Sequence, residues 1–503
     1  MGVGRKKAVL KNVLVTALLQ VVIVIIGFVI PQLFLNVYGA EIHGLTSVIK
    51  SLMSFVLLLS AGLNSASTVA LYKPLAEKNY FELNSTLNAI KGQYIKISIM
   101  YFIIIVFTAL AMPTFIKDID GHYVTIMMIM MGLQTVLDCL LISSLRILVQ
   151  ADQKLYIYNI IYILSMIIRG CLQVYLINRR VSAIIVQAIP ALMMILVYIL
   201  LKIYVAKNYT YIDRKVPKNN KALSQRWSAM VHQIAGLVLN NTDILIITIM
   251  SGDMVIASIY SVYELVFNQL YNLMTSMFSQ SSVASFGNLL ISENKTKLNK
   301  TYDEYEHIYY FFVSVVYSIT AVMILPFVKL YAGGVSDISY VDPILAFLFI
   351  VYSLANNLRV PGNTMINAAG MFKETQWRAI LEASINLAVS LFLFNIIGIY
   401  ALVIGSIAAF AYRTTDIILF SNKRILERNY YKTFLRAFKV MIYVLIITIL
   451  ANSFLIGEIN NWVQWFVNAT IVSIFSILVV GLLNLLTEWN VTKEIVKMVG
   501  KRN

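Results

Sequence analysis

Charged side chains inside apolar stretches are the residues of this sequence most able to do chemistry. Lys50, Arg169 and Arg359 each lie within a run of mainly apolar residues. Cations in such surroundings attract phosphate or carboxylate groups. Asp243 and Glu264 lie in similar runs, where a desolvated carboxylate takes up a proton more readily than in water. The pattern predicts an anion-binding site and, separately, carboxylates that exchange a proton or another cation.

Aromatic and amide side chains recur at helical spacing beside these charges. Tyr352 and Asn356 precede Arg359 at steps of three and four, so the three share one helical face. Rings stack on sugar faces, amides bond hydroxyl groups and cations meet phosphate charge, a combination that suits a sugar phosphate. The predicted substrate-binding residues are Lys50, Arg169, Arg359, Asn356, Tyr352, Tyr260 and Tyr271, and the predicted coupling residues are Asp243 and Glu264.

The composition identifies the class of protein that positions these residues. The chain has 503 residues, of which 59% are hydrophobic and 13% charged, and its mean hydropathy is +0.79. A globular protein is far less apolar. The fold class predicted is an all-α polytopic membrane protein. Because the first apolar segment follows a short basic lead without a small-residue cleavage site, we interpret it as a retained helix.

Apolar segments long enough to cross a bilayer number about fourteen. Of the 40 lysines and arginines, 32 lie in the N-terminus and in alternate loops, whereas the opposite loops contain four. The positive-inside rule then places both termini in the cytoplasm. This asymmetry also accounts for the net charge of +16 without a nucleic-acid partner.

Nine charged residues remain inside the predicted spans. At about 2.5–3.5 kcal/mol for each charge facing the bilayer centre, they would cost on the order of 20–30 kcal/mol. A typical protein has a total stability of only about 5–15 kcal/mol. These side chains must therefore face protein or water.

Two of the candidate cations have simpler interpretations. Lys50 lies on a polar stripe of the predicted span 44–72, where it either extends to the outer headgroups or lines an aqueous cavity. Arg169 either contacts substrate or pairs with Asp138 on the preceding span. These alternatives decide whether either cation is available to a ligand.

Two arginines further along the chain differ in their local surroundings. Arg413 and Asp416 are three residues apart on one predicted helix, so we expect them to pair. Arg359 stands beside Pro361 with no acid on its own helical face. We therefore expect Arg359 to contact the substrate.

An internal repeat predicts the architecture. Residues 60–79 and 279–295 are similar, and each is followed by a polar segment, a span and a short motif, at 112–117 and 325–330. Because six predicted spans separate the copies, they share one topology. The predicted division is an N-lobe with spans 1–6, a basic cytoplasmic linker, a C-lobe with spans 7–12, and a C-terminal part with spans 13 and 14: residues 1–204, 205–224, 225–420 and 421–503. A wet cavity is expected between the two lobes.

Several classes of activity lack support in the sequence. Cys139 and Cys171 both fall in apolar spans, which predicts no disulfide and no metal framework. The longest external loop has about a dozen residues without a phosphate-binding or nucleophile motif. We predict that the chain is not an enzyme and has no cofactor and no metal.

Residues 34–80, FLNVYGAEIHGLTSVIKSLMSFVLLLSAGLNSASTVALYKPLAEKNY, resemble the second-helix region of the Wzx-type oligosaccharide flippases. These belong, with lipid II flippases and MATE drug exporters, to one superfamily of paired six-helix lobes. The resemblance implies a carrier in the bacterial cytoplasmic membrane that moves undecaprenyl-diphosphate-linked oligosaccharide by alternating access for capsule, exopolysaccharide or O-antigen assembly. The implied partners are this substrate, membrane lipids, a coupling ion (H+ or Na+) and other polysaccharide assembly proteins.

The sequence departs from the lipid II flippases in its charges. Those proteins carry cations on the first, second and eighth helices, whereas only Lys50 has a counterpart here. The alternative function is a MATE-type cation-coupled drug exporter, for which a dominantly acidic cavity is expected. The mixture of signs in this sequence favours the flippase.

Overall fold

Helices are the regular elements of this protein wherever the computed structural model describes it. The described residues are 3–60, 63–213, 215–219, 241–291, 294–335, 338–455 and 457–493. Parts of the predicted linker 205–224, of the predicted C-lobe 225–420 and of the tail therefore lie outside the described residues. Over the ranges given, no strand is present, which confirms the all-α class.

The chain divides into two compact units, residues 1–261 and 262–503. The helices of the first unit are α1 (Val3–Leu57), α2 (Leu63–Ala76), α3 (Tyr80–Ala111), α4 (Gly121–Leu137), α5 (Ser143–Ala151), α6 (Leu155–Asn178), α7 (Ala183–Asn208), α8 (Asn241–Met250) and the start of α9 (Met254–Met274). A π-helical turn, Asp138–Ile142, joins α4 to α5.

The second unit begins within α9. Its further helices are α10 (Gln280–Ile291), α11 (Lys295–Tyr331), α12 (Pro343–Leu358), α13 (Val360–Ala369), α14 (Phe372–Ile397), α15 (Tyr400–Phe420), α16 (Tyr431–Phe454) and α17 (Trp462–Thr487). Two more π turns, Thr275–Ser279 and Ser421–Ile425, follow α9 and α15.

Eleven helices in the described part of the chain are long and apolar enough to cross a membrane. They confirm a multi-pass membrane protein. The count of fourteen spans stays a prediction, partly because the helical stretch Lys11–Ser60 alone covers the first predicted span and part of the second.

A glycine bends this first helical stretch. Gly39 has φ +83°, in the left-handed region that a residue with a Cβ rarely adopts. The second predicted span, 44–72, is also interrupted, because a 3-10 turn over Leu58–Ser60 ends the helix before α2 begins at Leu63. The polar stripe predicted on one helix is therefore divided between α1 and α2.

The two copies of the sequence repeat have the same local structure. In the first, the short helix α2 is followed by Asn79, whose side chain accepts a hydrogen bond from the Glu82 backbone N–H as the long helix α3 begins. In the second, α10 is followed by Asn294, which accepts one from the Lys297 N–H at the start of α11. An Asn cap therefore begins the long helix in both copies.

Close helix contacts hold the charged residues of each unit in place. In the first unit, α1 and α6 pack through an apolar cluster that contains Leu19, Ile163 and Met166. In the second, α14 and α15 approach so closely at Gly405 that an added Cβ would lie 2.2 Å from Ser390 Oγ. These two helix pairs position the charges described next.

Candidate functional site

Lys50 lies on α1 between the Gly39 bend and the helix end at Leu57. Helix rise places it roughly 16 Å from the Gly39 bend and roughly 10 Å from the helix end at Leu57. Its neighbours Ile49 and Ser51 are buried, whereas the Lys50 side chain is exposed. No ion pair or hydrogen bond to its ammonium group is found within the described residues.

Arg169 lies on α6, roughly 13 Å by helix rise from the end of that helix. Its Nε atom is buried and has no hydrogen-bond partner among the described residues. Asp138, the partner that one sequence interpretation gave to Arg169, forms its ion pair with Arg146 instead. Arg169 therefore retains a charge that the described part of the fold does not neutralise.

The π turn explains why Arg146 and Asp138 meet. Residues eight apart on a regular α-helix are separated by about 80° around the axis. The wide turn Asp138–Ile142 absorbs one extra residue and brings Arg146 round to the face of Asp138. Their Nη1 and Oδ2 atoms are 4.0 Å apart, too far for a hydrogen bond.

Aromatic rings connect these cations. Arg146 lies over the Tyr158 ring, 5.6 Å from its centroid, and Tyr158 stacks on Tyr162. The charge of Arg169 acts on both Tyr162 and Lys50. We call Lys50, Arg146 and Arg169 the cation cluster; Asp138 is its one carboxylate partner within the described residues. Such a group of cations can bind an anion.

Arg359, the strongest candidate of the second unit by sequence, has different surroundings. It ends α12, where its Nη1 donates to Glu382 Oε1 on α14 and its Nε donates to Asn356 Oδ1 at 3.0 Å. Its guanidinium lies 4.3 Å from the Phe410 ring centroid. Arg359 has no acid on its own helical face, and its carboxylate partner comes from α14.

Glu382 belongs to a buried network of five charged side chains. Arg413 Nε is 3.4 Å from Glu382 Oε2, and Arg413 Nη1 is 2.6 Å from Asp416 Oδ2. Arg378 on α14 approaches the other Asp416 oxygen to 2.5 Å. We call this set, with Arg359, the arginine–carboxylate network. It contains the expected pair of Arg413 and Asp416.

The predicted polar and aromatic residues divide between the two units. Tyr352 and Asn356 are buried beside Arg359, and Tyr352 stacks on Phe410 with 5.2 Å between ring centroids. Tyr271 lies within electrostatic range of Arg359. The second unit therefore brings four predicted residues together.

The predicted coupling residues also lie in different units. Asp243 is buried on α8, where its Oδ2 accepts a hydrogen bond from Tyr260 on α9. Glu264 lies half-buried on α9 within the second unit. The α1 residue His43 bonds Ser258 at 2.8 Å and so ties α1 to α9.

Sequence reasoning missed Arg146 and the partner of Arg359. Arg146 is one of the 32 cations that the sequence assigns to the N-terminus and alternate loops, and the sequence offers Asp138 as a partner for Arg169. A periodic pattern with a fixed step of 3.6 residues does not reveal a π turn. Glu382 is a partner from another helix, which helical spacing does not identify.

A family model described as "Polysaccharide biosynthesis protein" matches residues 9–289, which is more than half of the chain. The match includes the whole cation cluster, which lies in the first unit. No curated protein matches the chain.

Solved structures with the same fold are a flippase and transporters. "Lipid II flippase MurJ, inward closed conformation" is 14% identical, has a TM-score of 0.69, and the match covers 95% of this chain and 99% of that one. The inward-facing conformation of a MATE family multidrug resistance transporter of the MOP superfamily is 12% identical, with a TM-score of 0.62 and coverage of 82% and 99%. A mutant of the Vibrio cholerae MATE transporter VcmN is 12% identical, with a TM-score of 0.55 and coverage of 86% and 100%. These likenesses show that the chain has the fold shared by this flippase and these transporters. None of the three solved proteins is an enzyme.

Proposed function

Because the chain belongs to the polysaccharide biosynthesis protein family, we propose that it is a flippase for a lipid-linked oligosaccharide diphosphate. The Wzx-type substrate, an oligosaccharide on undecaprenyl diphosphate, is the one this proposal adopts. The membrane is then the bacterial cytoplasmic membrane, with both termini and the basic loops in the cytoplasm.

The cation cluster carries the proposal. The free-energy cost of moving a diphosphate from water into hydrocarbon is prohibitive, so a carrier must supply opposite charge along the path. Lys50 and Arg169 have no carboxylate partner among the described residues, and Arg146 has one at 4.0 Å. An arriving diphosphate would find these cations available without first breaking a tight ion pair.

The remaining parts of the substrate need different surroundings. The polyprenyl tail stays in lipid while the charged, sugared head crosses in a wet cavity, and rocking of two lobes exposes that cavity to each side in turn. Tyr260, Tyr271, Tyr352 and Asn356 are proposed to contact the sugars. Arg359 stays a predicted contact, although its charge is already balanced by Glu382.

Coupling to an ion is proposed at Asp243 and Glu264. The Tyr260 hydroxyl group donates to Asp243, so protonation of that carboxylate would remove a charge-assisted hydrogen bond between α8 and α9. A proton or Na+ bound there would then change how α8 and α9 are held. Exchanging Asp243 for Asn should remove the pH or Na+ dependence of transport.

The test measures the leaflet in which the lipid-linked oligosaccharide accumulates. We expect the double variant Lys50→Gln, Arg169→Gln to retain it in the inner leaflet, where an impermeant sugar-oxidising reagent cannot label it in intact spheroplasts. The matched control is Lys96→Gln, Arg179→Gln, which removes two exposed cations elsewhere in the unit. Outer-leaflet labelling at the wild-type level in the first variant would contradict the proposal.

The same variants separate the MATE-type alternative. An exporter of cationic drugs gains nothing from a cation cluster, so removing Lys50 and Arg169 would leave drug efflux unchanged or raise it. If the double variant keeps or gains drug efflux while lipid-linked sugar labels normally, the exporter is favoured.

A further inference from the structure

The first unit contains a groove between α3 and α7, well apart in sequence from the predicted substrate residues. Its volume is about 580 Å³. Leu140, Leu141 and Leu145, from the π turn and α5, form part of its lining. Both α3 and α7 pack against that π turn, which therefore lies at the base of the groove.

Two lysines line the groove from opposite helices. Lys91 comes from α3 and Lys202 from α7. Lys202 is exposed, with its Nζ 5.4 Å from the Tyr198 ring centroid. Lys218 adds a third ammonium group nearby, since its Nζ lies 3.0 Å from where a Cβ on Gly92 would be. The groove therefore combines positive charge with an apolar base.

The lysines lie toward the ends of their helices that lead into the basic loops, and a further exposed lysine, Lys96, lies beyond Lys91 on α3. Beyond Lys91, α3 continues through Ile95 to Ile99, which are 36% and 55% exposed. Before Lys202, α7 presents Ile199, which is 47% exposed. Exposed isoleucines at these positions face lipid in a membrane protein. The groove therefore meets the bilayer at headgroup level, on the side that carries the basic loops.

The loop after α7 lies at the aqueous end of the groove and is held there. Tyr209 lines the groove and donates its hydroxyl hydrogen to Asp152 Oδ2 at 2.7 Å. Asn88, on α3, donates to the Val216 carbonyl at 2.9 Å. These bonds tie the start of the basic linker to α3 and to the turn that follows α5.

We propose that this groove binds an anionic phospholipid of the leaflet on that side, with its phosphate between Lys91 and Lys202 and an acyl chain along the leucine base. Basic pockets between membrane helices recognise anionic headgroups in this way. Each lysine contributes about fivefold to affinity, so removing both should weaken binding about 25-fold. The bound lipid would hold the loop after α7 against the membrane surface.

Native mass spectrometry of the full-length protein in detergent tests the proposal with phosphatidylglycerol and, as the neutral comparison, phosphatidylcholine of the same chains. The double variant Lys91→Gln, Lys202→Gln should bind phosphatidylglycerol about 25-fold more weakly. Ala206→Trp, which fills the groove without changing charge, should also lose the lipid. The matched control Lys96→Gln, Lys207→Gln removes one exposed lysine from each of the same helices.

Three results would overturn the proposal. The first is that the wild type and the Lys91, Lys202 variant bind phosphatidylglycerol equally well. The second is that both double variants lose phosphatidylglycerol binding to the same extent. The third is that inorganic phosphate displaces the lipid, which would indicate a phosphate site without a lipid. Because binding is measured without transport, failure of this proposal is distinguishable from failure of the proposed flippase function.

Discussion

The two units differ in whether their charged side chains have charged partners within the fold. In the second unit, three arginines share two carboxylates over separations that reach only 3.4 Å, and Arg413 and Glu382 are more than nine-tenths buried. In the first unit, Lys50 and Arg169 have no ion pair within the described residues, and Arg146 lies 4.0 Å from Asp138. The arginine–carboxylate network is neutralised by the fold itself, whereas the cation cluster is not.

This contrast separates structural charges from charges available to a ligand. A buried arginine that already has two carboxylates nearby gains little from a phosphate, because the phosphate must compete with them. An arginine with an unsatisfied buried Nε gains a hydrogen bond that the fold has not made. We therefore expect the second unit to respond to mutation mainly in stability and the first mainly in transport.

The largest expected effect is on the second unit. Glu382→Ala leaves Arg359 without its carboxylate and Arg413 with only Asp416, which should lower the free energy of unfolding by about 3–5 kcal/mol. Thermal unfolding in detergent and the amount of protein in the membrane measure this. Glu374→Ala, at an exposed position of the same helix, is the matched control. An unchanged melting temperature for Glu382→Ala would show that the network does not stabilise the unit.

Introducing a carboxylate into the cation cluster should have the next largest effect, which is on transport. Arg169→Glu places an acid within reach of Lys50, as Glu382 is within reach of Arg359. Charged hydrogen bonds contribute about 1.5–3 kcal/mol, or roughly 10–100-fold, so reversing this charge should reduce transport by about 100-fold or more. Protein amount should not fall. Arg179→Glu, in the loop after α6, should transport normally; a stable Arg169→Glu protein with full transport would remove Arg169 from the site.

Smaller changes should follow from the loose pair of Asp138 and Arg146. Asp138→Asn removes the carboxylate partner that the described residues offer to the cluster, so transport at low substrate concentration should rise about twofold to fivefold. Arg146→Gln should lower it by less than about tenfold. Concentration dependence in proteoliposomes measures both, and Asp118→Asn, in the loop before α4, is the control. A loss of transport in Asp138→Asn would instead give this carboxylate a direct role.

The smallest effect concerns Glu488, which follows α17. Burial acts to raise the pKa of this carboxyl group, but hydrogen bonds from His307 and Arg436 outweigh it and lower the pKa. The resulting stabilisation, about 1 kcal/mol, is present above the ordinary pKa of glutamate and is lost as pH falls below it. The protection factors of the amides at the end of α17, which are corrected for the intrinsic pH dependence of exchange, should fall in the wild type as the pH drops below the ordinary pKa of glutamate. Glu488→Gln should show fast exchange throughout; equal pH dependence in both proteins would contradict the assignment.

The sequence predicted the elements well where a single rule governs them. Apolar length predicts two spans in residues 421–503, where α16 and α17 are found. Local spacing predicted the pair of Arg413 and Asp416, because residues three apart on a helix must be neighbours. Similarity between two segments predicted the repeat, whose copies share an Asn helix cap.

Spacing failed where the backbone departs from a regular helix or where the partner lies elsewhere. Because of the π turn at Asp138, this acid pairs with Arg146, whereas the sequence offers Arg169 as its partner. Arg359 was expected to contact substrate because no acid shared its helical face, but Glu382 reaches it from α14. Both outcomes depend on tertiary packing, which periodicity along one helix does not contain.

Cations of the first unit are proposed to bind the diphosphate. The direct measurement is the affinity of the purified protein for undecaprenyl diphosphate relative to undecaprenol, which has the same tail without the charge. We expect the wild type to bind the diphosphate more tightly than undecaprenol. In the Lys50→Gln, Arg169→Gln variant, the ratio of these two affinities should fall about 10–100-fold for each cation removed. The Lys96→Gln, Arg179→Gln control should keep it. An undiminished preference in the Lys50, Arg169 variant would contradict the account.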